Sequence, residues 1–119
     1  MIQIAIEGVA TRAVVDTGGV YLIDDPSIAN ELGLDPQAAI GTDIVSIRRE
    51  NFKGRLHRIV LHLPSDEGES LDQEVTAFIP DANPEQWGEL PTYLGLTGCL
   101  EFLRFALDPL TMQFYFASA

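Results

Sequence analysis

Ile2, Ile4 and Ile6 alternate with Gln3, Ala5 and Glu7, a period-two pattern that predicts a half-buried strand. After a turn at Gly8, Thr11 to Val15 reads as a second strand ending in the apolar run Ala13-Val14-Val15. That run stops at Asp16-Thr17-Gly18-Gly19, where two glycines permit positive φ and close approach of another backbone. A short strand over Val20 to Ile23 follows. Asp25-Pro26-Ser27 then offers a helix start, and Ile28, Ala29, Leu32 and Leu34 fit a short helix ending at Gly33.

Farther along, Ile44, Val45 and Ile47 precede the polar stretch Arg48-Arg49-Glu50-Asn51, and Phe52 to Leu63 reads as a long strand with Ile59, Leu61 and Leu63 on one face. A hairpin with its tip at Arg48 to Asn51 joins them. Ser65 to Ser70 is a polar loop, Glu74 to Ile79 the next strand, and Asp81 to Leu90 a loop in which Trp87 is a packing anchor. Tyr93-Leu94-Gly95 leads to Gly98 to Phe105, whose Leu100, Phe102, Leu103 and Phe105 predict a short amphipathic helix. Phe105 to Leu107 and Met112 to Phe116 predict a last hairpin around Asp108-Pro109-Leu110-Thr111. Many short strands with one or two short helices predict an all-β, small closed or half-open barrel in a single domain over residues 1–119.

Composition narrows the function. Eighteen acidic residues against seven basic ones give a net charge of -11, which repels phosphate backbones, so no nucleic-acid partner is expected. No apolar run approaches the ~20 residues that span a bilayer, and no membrane partner is expected. The N-terminal strand lacks the basic start of a signal peptide. The single cysteine, Cys99, cannot form an internal disulfide and is expected to be a buried small hydrophobe, which fits a cytoplasmic protein.

Most familiar chemistries are missing: there is no Gly-rich phosphate loop, no Cys-x-x-Cys and no Gly-x-Ser-x-Gly elbow. His57 and His62, five apart on a predicted strand, point to opposite faces, so they cannot share a metal and are expected to be solvated or edge side chains. Asp24 and Asp25 likewise diverge, with Asp25 expected to cap the helix. No metal and no cofactor are expected. What remains is Asp16-Thr17-Gly18, an acid directly after an apolar strand, where burial and neighbours can shift its pKa.

Ala13-Val14-Val15-Asp16-Thr17-Gly18-Gly19 resembles the active-site loop of retropepsin-like aspartic proteases. Tyr93-Leu94-Gly95, followed by Gly98 to Phe105, is similar to that family's second hallmark, an apolar–apolar–Gly step leading into a short helix. Phe105 to Pro109 and the strand to Phe116 resemble its closing hairpin. The order of elements agrees along the whole chain, diffusely between the two motifs. The resemblance implies a closed β-barrel of the acid-protease type, with Asp16 catalytic, Thr17, Gly18 and Gly19 completing its loop, and Leu94 and Gly95 structural. It also implies that the terminal strands pair across a two-fold axis, and that Thr17 bonds across it.

The chain departs from the family pattern in three places. Gly19 stands where Ala or Ser is usual. Leu96-Thr97 replace residues that form an ion pair in some dimers, and the hairpin tip lacks glycines. Acid hydrolysis needs one acid and one base at once, and two close aspartates share a proton and titrate as a unit. With one such aspartate per chain, a homodimer would have to supply Asp16 twice. The implied activity is an aspartic endopeptidase acting on peptide or protein substrates. The alternatives are a catalytically inactive dimerisation or peptide-binding module of the same fold, and a β-barrel with an incidental Asp-Thr-Gly turn. Five of the seven basic residues, Arg48, Arg49, Lys53, Arg55 and Arg58, fall in the predicted hairpin, which reads first as a solvated hairpin balancing an acidic body and second as a flap whose Arg48 and Arg49 recruit acidic peptide segments.

Overall fold

The strand periodicities are realised in a computed structural model that describes residues 1–119. The strands are β1 (Ile2–Ile6), β2 (Val9–Val20), β3 (Leu22–Ile23), β4 (Gly41–Ile47), β5 (Glu50–Leu63), β6 (Leu71–Pro80), β7 (Thr92–Thr97), β8 (Leu103–Asp108) and β9 (Gln113–Ser118). Two short helices join them, α1 (Pro26–Leu32) and α2 (Pro84–Trp87). The fold is all-β. Seven strands form one sheet in the order β1-β2-β7-β3-β6-β5-β4, and an extra β1–β5 pairing at Ala5–His62 and Ile6–Leu61 brings the sheet round into a ring. β8 and β9 form a separate hairpin. No helix is long and apolar enough to cross a membrane.

Alternation decides what goes inside. Ile4, Ile6, Ile59, Leu61, Leu63 and Val75 all turn inward and join Leu22, Leu94 and Leu100 in the main core, with α1 and the aromatic face of the last hairpin packed against it. A smaller core lies beneath the β4–β5 hairpin, where Val45, Ile47 and Phe52 close over Ile23, Phe78 and Trp87. Phe52 meets Trp87 edge to face, with ring centroids 5.2 Å apart. Trp87 is the anchor expected of it.

Local signals explain most boundaries. Asp25 caps α1 by accepting from the Ser27 N–H at 2.8 Å, Pro26 fills the first turn, and Gly33 ends the helix at φ 61°. Arg48 and Arg49 take φ 49° and 69°, the pair of left-handed residues that a two-residue hairpin turn requires.

Several expectations need correction. β2 does not stop at Val15 but continues through the Asp-Thr-Gly-Gly segment to Val20. Part of the loop at Asp81 to Leu90 is helical, because Asn83 and Gln86 form a reciprocal capping box around Pro84. The amphipathic helix expected over Gly98 to Phe105 is absent. A single 3-10 turn at Leu100–Phe102 gives way to β8, whose residues Leu103 to Asp108 find a full partner in β9. Available pairing overrides a weak helical pattern there. His57 is also buried, at 2% exposure, and only His62 is at the surface, where it meets Asp72 at 2.5 Å.

Candidate active site

Two segments remote in sequence lie side by side. Ala13, Val14, Val15 and Asp16 run parallel to Thr92, Tyr93, Leu94 and Gly95, which sets Asp16 opposite Gly95. Pairing breaks after Asp16 and resumes at Val20 opposite Thr97, so four steps on β2 face two on β7 and Thr17-Gly18-Gly19 bow away from β7. Asp16, Thr17 and Gly18 are exposed on the single chain, whereas Leu94 is wholly buried. Burial therefore does not reach Asp16 itself, contrary to the position expected from the apolar run before it.

Glycine is required at one point here, and a second glycine gives the carboxylate room. A Cβ on Gly95 would lie 2.6 Å from the Val20 carbonyl carbon and 2.7 Å from the Tyr21 oxygen, which the Gly95 N–H reaches at 2.8 Å. Backbone on backbone cannot yield as a flexible side chain would. Gly95→Ala is accordingly expected to destabilise the chain by roughly 2–4 kcal/mol, read as a lower urea midpoint; an unchanged midpoint would mean β7 can slide free of Tyr21. A Cβ on Gly19 would come 3.0 Å from Asp16 Oδ2. The departure from Ala or Ser at this position leaves the carboxylate room in the orientation it adopts, with Oδ1 accepting from the Gly18 N–H at 3.1 Å.

Asp16 opens on a cleft of about 550 Å³. One side is Val14 to Asp16 and Gly18 to Val20 with Ile23 and Tyr93, Thr17 lying outside the lining, and the other is the run from Asp43 to Arg48 on β4 and the hairpin tip. The hairpin thus faces Asp16 across the cleft. Of the predicted site residues, Asp16, Gly18, Gly19 and Arg48 line this space. Arg49 shares the turn but not the lining, and Leu94 and Gly95 form the layer behind. The basic cluster is divided: Arg58 lies beyond the hairpin arms, where it bonds Glu74 at 2.9 Å and Thr76 at 3.2 Å, while Arg48 and Arg49 form no ion pair.

Two residues near the site, Tyr21 and Asp43, escaped the sequence reading, and a third, Asp24, was read there only as diverging from Asp25. Tyr21, at φ 61°, donates its hydroxyl to Asp43 Oδ2 at 2.6 Å and so ties the end of β2 to β4. That bond holds the Asp43 carboxyl below its usual range and, with burial, raises the Tyr21 hydroxyl above its own. Asp24, between the cleft residue Ile23 and the cap Asp25, has no exposed surface, and neither of its carboxyl oxygens has a hydrogen-bond partner. The adjacency of two acids hinted at Asp24; nothing local in the sequence pointed to the Tyr21–Asp43 pair. His57 titrates below its ordinary value because of burial and the nearby Arg55 charge, opposed by Asp35. Burial alone pushes the Cys99 thiol up to about 12, as suits an inert core residue. No group of three or more metal-ligating side chains is assembled anywhere in the chain. No protein-family model matches this chain, and no curated protein matches it.

Proposed function

We propose that this chain is an aspartic endopeptidase of retropepsin-like type, in which two copies each supply Asp16. One observation carries the reading: the Asp-Thr-Gly segment and the Tyr-Leu-Gly segment meet in register, and leave an exposed carboxylate on an open cleft of mixed polar and apolar lining. In the dimer the two Asp16 carboxyls hold one water and one proton between them. The charged member takes a proton from the water as it attacks the peptide carbonyl, and the neutral member protonates the carbonyl oxygen. The cleft holds the peptide between β4 and the Asp16 loop. The dimer works in the cytoplasm.

A peptide-library digestion at about pH 5 tests this, combined with sedimentation and a rate–pH profile. The expected profile is bell-shaped and centred on the acid side of neutrality, because the reaction needs one ionised and one protonated carboxyl at once. Activity should fall on dilution as dimers dissociate. An active monomer, or a rate still rising in alkaline solution, would overturn the mechanism.

A second reading, a peptide-binding module without hydrolysis, is favoured by one feature. The inner face of the hairpin is packed down through Val45, Ile47 and Phe52 onto Trp87 and Phe78, which leaves little freedom to close over a substrate. Peptides that bind but are never cut would select it.

A further inference from the structure

β4 ends the seven-stranded order, so its outer edge has no neighbouring strand, and it lies along the cleft from Asp43 towards the tip. The pairing of β5 shows which backbone groups point there. The Lys53 carbonyl accepts from the Asp81 N–H at 2.7 Å, on the β6 side of β5. Ile44 and Lys53 are therefore a non-hydrogen-bonded pair, and Ile44, like Ser46 two residues on, turns its N–H and C=O to the free edge. Such a row is a template for an extended peptide.

One place on the row is already filled. The Ile44 N–H donates to Asp43 Oδ1 at 2.7 Å, and the other oxygen of that carboxylate accepts from Tyr21 at 2.6 Å. Tyr21 is itself held, with its N–H on the Thr97 oxygen at 2.6 Å and its ring stacked 6.4 Å from Phe78. The carboxylate is thus fixed from two sides across the end of the cleft.

We propose that the Tyr21–Asp43 pair is an end stop: it occupies the edge position at Ile44, so that an extended peptide pairs with β4 at Ser46 and towards Arg48 but not past Ile44. The inference rests on reading the cleft as a peptide site, and not on hydrolysis. The two residues act by positioning and register, and touch no reacting atom. The lowered pKa of Asp43 and the raised pKa of Tyr21 keep the bond in place from mildly acid to neutral solution.

The test is an amide NMR titration in an Asp16→Asn background, where nothing can be cut. The probes are blocked synthetic peptides of alternating valine and threonine, each two residues longer than the last. With Asp43 present, affinity is expected to stop rising once the peptide reaches Ile44, and the Ser46 amide should shift on binding. Asp43→Ala should allow one further step in length, with a gain of roughly five- to tenfold and a new shift at the Ile44 amide. Asp43→Asn keeps an oxygen for the Ile44 N–H and can donate its amide N–H to the Tyr21 oxygen, so it should restore the original limit. Tyr21→Phe leaves β4 untouched, and is expected to speed exchange of the Ile44 amide and to blur the length limit; it serves if Asp43→Ala does not fold. The same length dependence with and without the pair, or binding with no shift at Ser46, overturns the end stop. A wild-type protein that shows the length limit but cuts no peptide overturns the hydrolase and leaves the end stop standing.

Discussion

Asp16→Asn is expected to lower peptide hydrolysis by several orders of magnitude while leaving the chain folded and dimeric. Asparagine keeps the shape of the side chain and an oxygen to accept the Gly18 N–H, which Asp16 now accepts at 3.1 Å. In the proposed homodimer it removes both ionisable members of the pair at once, because each copy carries the substitution. Neither a general base for the water nor a shared proton for the carbonyl survives. Stability should move the other way, since two like carboxylates held close repel each other and neutral amides do not. Thr17→Ala should give the opposite pattern: the acids remain, the bonds across the two-fold are lost, and dimer affinity falls before activity does. If the Asp-Thr-Gly segment is an incidental turn, both substitutions at these exposed positions should change stability by no more than about 0.5 kcal/mol. Rates on a cleaved peptide and sedimentation of the three proteins separate these outcomes. An Asp16→Asn protein that unfolds would make the aspartate a structural cap of its own turn.

The strands were legible because burial is one-sided: Ile59, Leu61 and Leu63 declare their inward face by period alone, and all three are buried to 1% exposure or less. The caps were legible for a similar reason, since Asp25, Pro26 and Gly33 act within one turn of themselves. What local pattern does not contain is partnership. Leu103 to Asp108 carries a helical-looking set of apolar residues, and becomes a strand because β9 lies along it. His57 is a different case: it is in phase with Ile59, Leu61 and Leu63, so the period of β5 already turns it inward, and only its polar side chain argues for the surface. The same limit applies to the site. Asp16 was readable from its own loop, and its meeting with Gly95 followed from two motifs in the sequence. Tyr21 and Asp43 are joined only by the fold, 22 residues apart, one at the bend between β2 and β3 and the other on β4.

Asp24 is expected to make the protein lose stability as pH rises, the reverse of what a salt-bridged carboxylate does. Its side chain has no exposed surface and no hydrogen-bond partner for either oxygen, and its own N–H is committed to the Phe78 carbonyl at 3.1 Å. Burial first, and the charge of Asp25 second, raise its pKa from 3.8 to about 7; the Asp25 N–H, whose hydrogen goes to Thr92 Oγ1, draws it back only in part. The folded chain therefore holds this proton more tightly than the unfolded chain does. The stabilisation is complete below the unfolded pKa, declines as pH climbs towards about 7, and declines no further above it. Over that window the loss is on the order of 4 kcal/mol, from 1.36 kcal/mol per pKa unit. Asp43 and Asp108, whose pKa values are lowered by their hydrogen bonds, contribute with the opposite sign and lose stability as pH falls. They are common to both proteins when wild type is compared with Asp24→Asn, so the difference between the two urea stabilities isolates Asp24. That difference should be small near pH 4, where a neutral carboxyl and an amide are alike, and should favour Asp24→Asn increasingly up to about pH 7. Because Ile23, one residue away, lines the cleft, the ionised wild type should also loosen the wall facing β4, and activity should fall on the alkaline side earlier than in Asp24→Asn. A difference in stability that stays flat with pH would mean that Asp24 keeps its charge in the fold with a partner to hold it.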